Sequence, residues 1–512
     1  MHRITADRPH PLHDCAATRA LENQAQRSLP AHALMQRAAH ACARLARALA
    51  PHAQRMWLAC GGGNNGGDGL LAAALLHQAG LDVTVTWLGT PETSPPDALH
   101  SWHAAQDAGV CFADAPPPLG TQDLCVDALL GIGLRTGSTH SPDARLLDCL
   151  HALHASHATL LNVDLPSGLV ADTGHYAPGF EALAATDPTT AGTHQQRRHT
   201  LALLTLKSGL FTAHGRDAAG GVWYDDLGVD AATHPPQAWL AGAPAPSARA
   251  HASHKGSFGD VAVIGGEGLA ACGMGMTGAA VLAASAALHA GAGRVMVALL
   301  DGGATAALPQ QPALMLRRFD ALELAHATVV CGCGGGTAVA SVLAQVLQQA
   351  GRLVLDADAL NTIAADTALR AQLAARSSRA GCATALTPHP LEAARLLGTS
   401  SAAVQADRLS AANQLAQQLG CAVVLKGSGS VVAAPGRLAH INPTGNARLA
   451  SAGTGDVLAG LLGARLAAQP RADLDGAFAA ASAACWQHGA LADAWPAHQA
   501  LTADRLAQAI TP

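Results

Sequence analysis

The chain has 512 residues, room for two to four domains. Hydrophobic residues make up 49% and charged residues 13%, too apolar for a disordered chain; with aromatics at 3%, the cores must be built from Ala, Leu and Val, which suits helices on parallel sheets. The formal net charge of -5 without a long basic run argues against nucleic acid as a partner, while a local phosphate site, which needs only a few donors, stays open.

In chain order, residues 14–49 read as helix. A short apolar run over 55–60 leads into GGGNNGGDG and the helical LLAAALLHQAG, and residues 82–88 alternate like a strand. This is the β-turn-α-β unit of a parallel sheet. The pattern continues through DLCVDALLG (123–131), a helix near 142–157, TLLNVDLPSG (159–168) and HTLALLTLKSG (199–209), with 177–198 a polar loop. Residues 231–250 are rich in Pro and Ala, carry no convincing strand and read as an interdomain linker. Alternation then restarts, with strands over 259–266, 294–300, 327–332, 352–358, 421–427 and 430–436 and helices over 276–293 and 455–468. The expected architecture is a Rossmann-like three-layer α/β domain over 1–230 and a second α/β domain over 251–512.

The first residues show no apolar stretch of the signal-peptide kind, and no run elsewhere is long and unbroken enough to span a bilayer. The twelve cysteines include no C-x-x-C pair. Buried thiols in a reducing cytoplasm are therefore expected, with no membrane partner. Cations are nearly all arginine; the lysines are Lys207, Lys255 and Lys426, each beside a glycine-containing turn, which hints at a specific need.

GGGNNGGDG (61–69) lies between a strand and a helix. Glycines there let the backbone approach a ligand, and the free N–H groups of the helix start seat an anion. Asn64 and Asn65 add amides and Asp68 a carboxylate, unlike a G-x-G-x-x-G dinucleotide fingerprint. A binding loop is favoured here over a tight turn merely capped by Asp. Asp127 ends one apolar strand before GIGLRTG (131–137), and Asp164 ends another within NVDLPSG (162–168), which also holds Ser167. Strand C-termini in an open α/β sheet are where ligands bind.

NNGGDG, D-x-L-x-G-x-G, VDLPSG with a following DTG, and a TLK segment together resemble the NAD(P)H-hydrate epimerase domain, over roughly residues 14–230. The resemblance implies interconversion of the R and S epimers at C6 of the hydrated nicotinamide. It implies a hydrate site lined by Asn64, Asn65, Gly66, Gly67 and Asp68, by Gly131, Ile132, Gly133, Leu134, Arg135, Thr136 and Gly137, and by Asp164. It also implies potassium held by Asn65, Asp127 and Ser167, whose oxygens suit a hard cation, and Asp164 as the acid/base. The chain departs from the family at Leu203, where Phe is usual.

In the second half, SAGTGDVLAG (451–460) places Gly453, Thr454 and Gly455 before a helix, an anion hole with Asp456 beside it as a base on a hydroxyl. Lys426 follows a strand in VVLKGSGS; LVLDADALN ends a strand with Asp356 and Asp358; LTPHPLEAARLL sets His389 between prolines and Glu392 at a helix start, where it could be merely a dipole partner. With HKGSFGDVAVIGG and the CGCGGG turn (331–336), this set is similar to the ADP/ATP-dependent NAD(P)H-hydrate dehydratase domain of the ribokinase-like superfamily, over roughly 250–510. The similarity implies that Ala280, Gly336, His389 and Asp456 contact the hydrate and that Lys426, Gly427, Ser428, Gly429, Ser430 and Gly455 contact ADP or ATP, with magnesium. It implies phosphorylation of the C6 hydroxyl and loss of phosphate, Asp456 being catalytic. CGCGGG replaces the usual P-G-L-G, and HPLE replaces HPGE.

The expected activity is thus repair of hydrated NADH and NADPH (NADHX and NADPHX) by a cytoplasmic, homo-oligomeric enzyme with small-molecule partners only. The alternatives are a vitamin-precursor kinase in the second half, which shares the G-x-G-D logic, and a first half that merely binds ligands or proteins.

Overall fold

The computed structural model describes residues 1–134, 142–184, 197–245 and 249–512. Arg135, Thr136 and Gly137 lie outside the described residues. Two compact units emerge: Met1–Thr5 with Pro11–Ala238, and Ala6–His10 with Trp239–Pro512.

The first unit is built on an eight-stranded sheet. Its strand order is His2–Arg3, Gly221–Asp225, Arg198–Leu203, Thr159–Val163, Leu124–Ala128, Arg55–Cys60, Asp82–Trp87 and Cys111–Phe112. All neighbours are parallel except the first pair. The inner strands read as near-continuous apolar runs because both faces are covered by helices. Leu58, Val126 and Leu161 are fully buried with Leu70 and Ala73 of the helix Asn64–Gln78. From Arg55–Cys60 the chain first adds strands on one side and then, with Leu124–Ala128, on the other. The order therefore reverses between these two strands, and their C-terminal ends open the crevice where ligands bind in such sheets.

The single helix expected over 14–49 is two, Cys15–Ser28 and Ala33–Leu49. Pro30 causes the break: it lacks an N–H and forces the preceding Leu29 into an extended conformation. Asp14 caps the first helix, accepting from Ala17 N at 2.7 Å.

The second unit carries a sheet in the order Met315–Leu316, Arg294–Leu299, Asp260–Gly265, Thr328–Cys331, Arg352–Leu355, Ala383–Leu386, Ala422–Leu425, Val431–Ala433 and Ala439–Ile441, followed by the strand Ala238–Leu240, whose last two residues belong to this unit. It is parallel as far as Ala422–Leu425 and antiparallel over the next two strands. The strand order reverses beside Asp260–Gly265. The helices Thr277–His289 and Thr454–Ala467 bury Ala283, Ala287, Leu458 and Leu461 against it. Small alanine faces let helix and sheet close tightly where aromatic residues are scarce.

Residues 231–250 are not free of strand: Ala238–Leu240 lies within them. Three residues offer too few alternations to register as a periodic signal. The extreme N-terminal stretch Ala6–His10 belongs to the second unit, where Trp486 Nε1 donates to Ala6 O at 2.7 Å. Trp486→Phe keeps the ring and removes that donor. It should lower the stability of the second unit by about 1 kcal/mol, read as an earlier midpoint in denaturant unfolding.

Candidate active sites

In the first unit, a cavity of about 600 Å³ opens at the reversal of strand order. Asn64, Asn65, Asp68, Gly131, Ile132, Gly133 and Asp164 all line it. Gly66 and Gly67 lie buried behind them. Gly66 must be glycine because a Cβ there would stand 1.9 Å from Gly61 O. Leu134 is not among the lining residues.

Asp164 sits just past its strand with φ at +65°, a left-handed backbone that non-glycine residues rarely adopt and that is typical of functional turns. Its Oδ1 accepts from Lys207 Nζ at 2.5 Å and from Leu203 N at 3.3 Å. The same ammonium donates to Leu203 O at 2.7 Å. Leu203 therefore meets the site through its backbone as well as through the side chain that departs from the usual Phe. Asp68 keeps an accessible edge on the cavity, yet its carboxyl is held well above the usual range, by burial first and then by the charges of Asp164, Glu22 and Asp97. A carboxyl that holds its proton more tightly than usual, beside an ion-paired carboxylate on the same cavity, suits proton transfer.

Asp127 and Ser167 are buried behind the wall formed by Leu129 and Leu130. Asp127 accepts from Ser167 Oγ at 2.6 Å and from Ser167 N at 2.8 Å, and Leu130 N donates to Ser167 Oγ at 2.8 Å. Burial pushes the Asp127 carboxyl up, and the Ser167 bonds pull it back. Asn65 borders Gly131, where a Cβ would lie 3.4 Å from Asn65 Oδ1, and its Nδ2 is buried with no partner among the described residues. A half-turn of that amide presents an oxygen instead. An all-oxygen donor set of amide, carboxylate and hydroxyl suits a hard monovalent cation, so these residues fit the potassium expectation.

Arg19, Glu22, Asp97 and Lys207 also line the cavity. Arg19 donates to Ile132 O at 3.0 Å. Charged residues on amphipathic helices look like solvated faces, so nothing in the local pattern flags Glu22 or Asp97. Lys207 carried a signal in its rarity.

In the second unit, several strand-end groups converge on the start of the helix Thr454–Ala467. Its cap, Gly453, has φ at +89°, and no side chain occupies the free N–H groups. A Cβ at Gly455 would lie 3.4 Å from Lys426 Nζ. An ammonium beside a helix N-terminus makes an anion seat, with the Lys426 charge already balanced by Asp356 at 2.8 Å. Burial works to lower the Lys426 pKa but is outweighed by Asp356 and Glu392, which hold it above the ordinary value. Asp356 also accepts from Thr387 Oγ1 at 2.8 Å. The loop after Lys426 is held from below, where the buried Arg408 donates to Leu425 O and Lys426 O at 3.1 and 3.2 Å. Gly427 and Ser430 bond each other across it, and Ser428 and Gly429 complete it.

Asp456 stands in the first turn of the same helix, its carboxyl pushed up to about 7 by burial and then by the Asp356 charge. Asp356, Asp456 and Cys333 bring their ligating atoms within 4.8 Å of one another. Gly336 N donates to Asp358 at 2.8 Å, and Glu267 holds the same turn through Thr337 Oγ1 at 2.8 Å and Ala338 N at 2.9 Å. Glu267 lies just past the HKGSFGDVAVIGG segment, and Cys333 lies in the CGCGGG turn, where only the glycines carried a signal. Ala280 is fully buried beneath the Gly266 turn and presents no exposed surface.

His389 caps the helix Pro390–Leu397. Its Nδ1 accepts from Leu391 N at 3.1 Å and Glu392 N at 3.3 Å, and Glu392 accepts from His389 N at 2.8 Å. Nε2 lies 3.2 Å from Glu392 Oε1. Nδ1 is thus the acceptor and Nε2 carries the proton, leaving the exposed ring edge to meet a ligand. Glu392 is more than a dipole partner: burial raises its carboxyl to about 7.

Among the described residues the cysteines are free, most of them buried, and no helix is long and apolar enough to cross a membrane.

Two family models match: "YjeF-related protein N-terminus" over 31–209 and "NAD(P)H-hydrate dehydratase" over 262–512. The bifunctional NAD(P)H-hydrate repair enzyme Nnr of Escherichia coli (strain K12) is 35% identical, the alignment covering 91% of this chain and 85% of that one. The ADP-dependent (S)-NAD(P)H-hydrate dehydratase of Neisseria meningitidis serogroup B is 42% identical, covering 52% of this chain and 86% of the relative. An ADP/ATP-dependent NAD(P)H-hydrate dehydratase of Bacillus subtilis, solved with ATP/Mg2+, is 29% identical with a TM-score of 0.42, covering 52% of this chain and 91% of that one. With both family models matched and this likeness over most of its length, the chain belongs to the family of bifunctional NAD(P)H-hydrate repair enzymes.

Proposed function

We propose that the cavity of the first unit epimerises hydrated NADH and NADPH at C6 and that the strand ends of the second unit dehydrate the S form at the expense of ADP or ATP. The observation that carries the reading is the pair of strand-end aspartates, Asp164 and Asp356, each held by a lysine beside a second carboxyl of raised pKa, Asp68 and Asp456.

In the epimerase site, Asp164 is the acid/base, and the Lys207 ammonium fixes its carboxylate in the cavity. Asn64 and Asn65 with Gly131, Ile132 and Gly133 bind the hydrate, and Asp68, whose proton burial holds more tightly than usual, donates to it. Arg135, Thr136 and Gly137 belong to this reading by resemblance alone. Asn65, Asp127 and Ser167 would hold potassium, which would supply a positive charge beside the cavity.

In the dehydratase site, the nucleotide phosphates lie over the N–H groups at Gly455 and against Lys426, with Gly427, Ser428, Gly429 and Ser430 cradling the nucleotide. Magnesium bound to the nucleotide would supply charge neutralisation at its phosphates. The turn at Gly336 and the edge of His389 face the hydrate, and Ala280 supports that surface from beneath. Asp456 takes the proton of the C6 hydroxyl as that oxygen attacks the terminal phosphoryl group, the nucleotide leaving shortened by that phosphate; loss of phosphate from C6 and of a proton from C5 to water then restores the C5–C6 double bond of the dihydronicotinamide. Family membership favours this outcome over a kinase that releases a stable phosphorylated alcohol.

Asp164→Asn should slow epimerisation about a hundred- to ten-thousand-fold while dehydration of the S hydrate continues, followed by chiral analysis of the hydrate pool. Epimerisation at the wild-type rate would remove Asp164 from the mechanism. Asp456→Asn should slow dehydration over a similar range with nucleotide affinity retained or tightened, since the amide is nearly isosteric and a negative charge near the phosphates is lost. Calorimetry alongside recovery of reduced-nicotinamide absorbance checks this, and parallel losses of rate and affinity would assign Asp456 to nucleotide or metal binding.

The base must be ionised to work, so the dehydration rate should rise with pH through about 7 and be lost below it, as Asp456 takes up its proton. Glu392, the other carboxyl near 7, is not the base, and Glu392→Gln should leave this acid limb in place. A limb that vanishes in Glu392→Gln would reassign it.

A further inference from the structure

Cys333 is fully buried in the turn after the strand Thr328–Cys331, and the mechanism above does not use it. Its backbone is pinned. Its carbonyl accepts from Gly266 N at 3.0 Å, and the preceding Gly332 N donates to Ile264 O at 3.0 Å. The thiol therefore has little freedom to leave its place between two carboxylates, those of Asp356 and Asp456. A thiol has one proton to donate, so it can serve only one of them at a time.

Asp356 needs it less. Its Oδ1 already accepts from Lys426 and from Thr387, each at 2.8 Å, and its Oδ2 lies 4.0 Å from Cys333 Sγ, the far limit of a sulfur hydrogen bond. Asp456 is the more demanding neighbour. It faces the charges of Asp356 and Asp358, while Lys426, the nearby cation, is engaged by Asp356. The thiol keeps its proton at neutral pH because burial, then Asp456 and Asp356, hold its pKa well above the ordinary thiol range.

We propose that Cys333 is a positioning residue of the dehydratase site: its thiol donates a hydrogen bond to the Asp456 carboxylate and holds that group toward the substrate hydroxyl. The proposal rests on the reading of Asp456 as the base. A positioned donor does two things here. It fixes the carboxylate rotamer at the start of the helix Thr454–Ala467, and it favours the ionised form, opposing burial and the two neighbouring aspartates that push the group up.

The test compares pH profiles of dehydration for wild type, Cys333→Ala and Cys333→Ser, with Asp456→Asn as the reference. Cys333→Ala should move the acid limb to higher pH, with turnover lowered at about pH 9 by the lost orientation and a further three- to tenfold, roughly, at about pH 6, and nucleotide KM unaltered. Cys333→Ser, which keeps a donor, should return the limb to the wild-type position or below it. An alanine variant with the wild-type profile, or one slowed equally at every pH, overturns the positioning role. If Asp456→Asn itself retains turnover, the assignment of the base fails instead; if Asp456→Asn is inactive while Cys333→Ala is normal, only the role of Cys333 fails. A second readout does not depend on turnover. The S–H stretching band of Cys333, isolated by infrared difference against Cys333→Ala, should lie at a hydrogen-bonded frequency and move to the free-thiol position in Asp456→Ala. A band that Asp456→Ala leaves unmoved also overturns the proposal.

Discussion

An ammonium held against a strand-end aspartate organises each site: the buried Lys207 with Asp164 at 2.5 Å, and the half-buried Lys426 with the buried Asp356 at 2.8 Å. Burying either charge alone would cost several kcal/mol, and stripping one partner from such a pair typically costs about 3–5 kcal/mol. The pairs therefore tie the geometry of the strand ends to the chemistry. Lysine suits the task because its compact charge at the end of a flexible stem can reach a carboxylate and a backbone carbonyl together, as Lys207 does with Leu203 O. In a chain that otherwise uses arginine, these two lysines mark the sites. Lys255, exposed in the short helix Lys255–Phe258, does not share that role.

The same logic recurs in the two units despite their different folds. Each sheet reverses its strand order beside a glycine-rich turn, and each site pairs a carboxylate from a strand C-terminus, Asp164 or Asp356, with one near the start of a helix, Asp68 or Asp456. One carboxyl is satisfied by a lysine, and that leaves its neighbour short of compensation in a poorly solvated place, so its pKa rises. Asp68 beside Asp164, and Asp456 beside Asp356, are both instances. A pair of acids pushed apart in protonation is what proton transfer at neutral pH requires.

How much of this was legible in the residues depended on chain distance. The β-turn-α-β pattern, the strand ends at Asp127, Asp164 and Asp356, and the helix start at Gly453 are local, and periodicity and glycine placement announced them. The resemblance to epimerase and dehydratase domains rested on the same short motifs. The break at Pro30 was also in the sequence, but the apolar spacing on either side masked it. The strand Ala238–Leu240 and the place of Ala6–His10 in the second unit were not legible, because short segments acquire a partner only when distant parts of the chain meet.

What the sequence by itself determined was the order of elements, the fold class and the identity of the motif residues, since side-chain periodicity and backbone freedom are properties of neighbours along the chain. What only the tertiary structure decided was which charge meets which. Lys207 lies 43 positions from Asp164, and Lys426 lies 70 from Asp356. The seclusion of Asp68, the use of both His389 nitrogens around Glu392, and the thiol of Cys333 between two aspartates follow from the same cause. A pKa is set by burial and by the nearest charges in space, and neither exists until the strands are side by side.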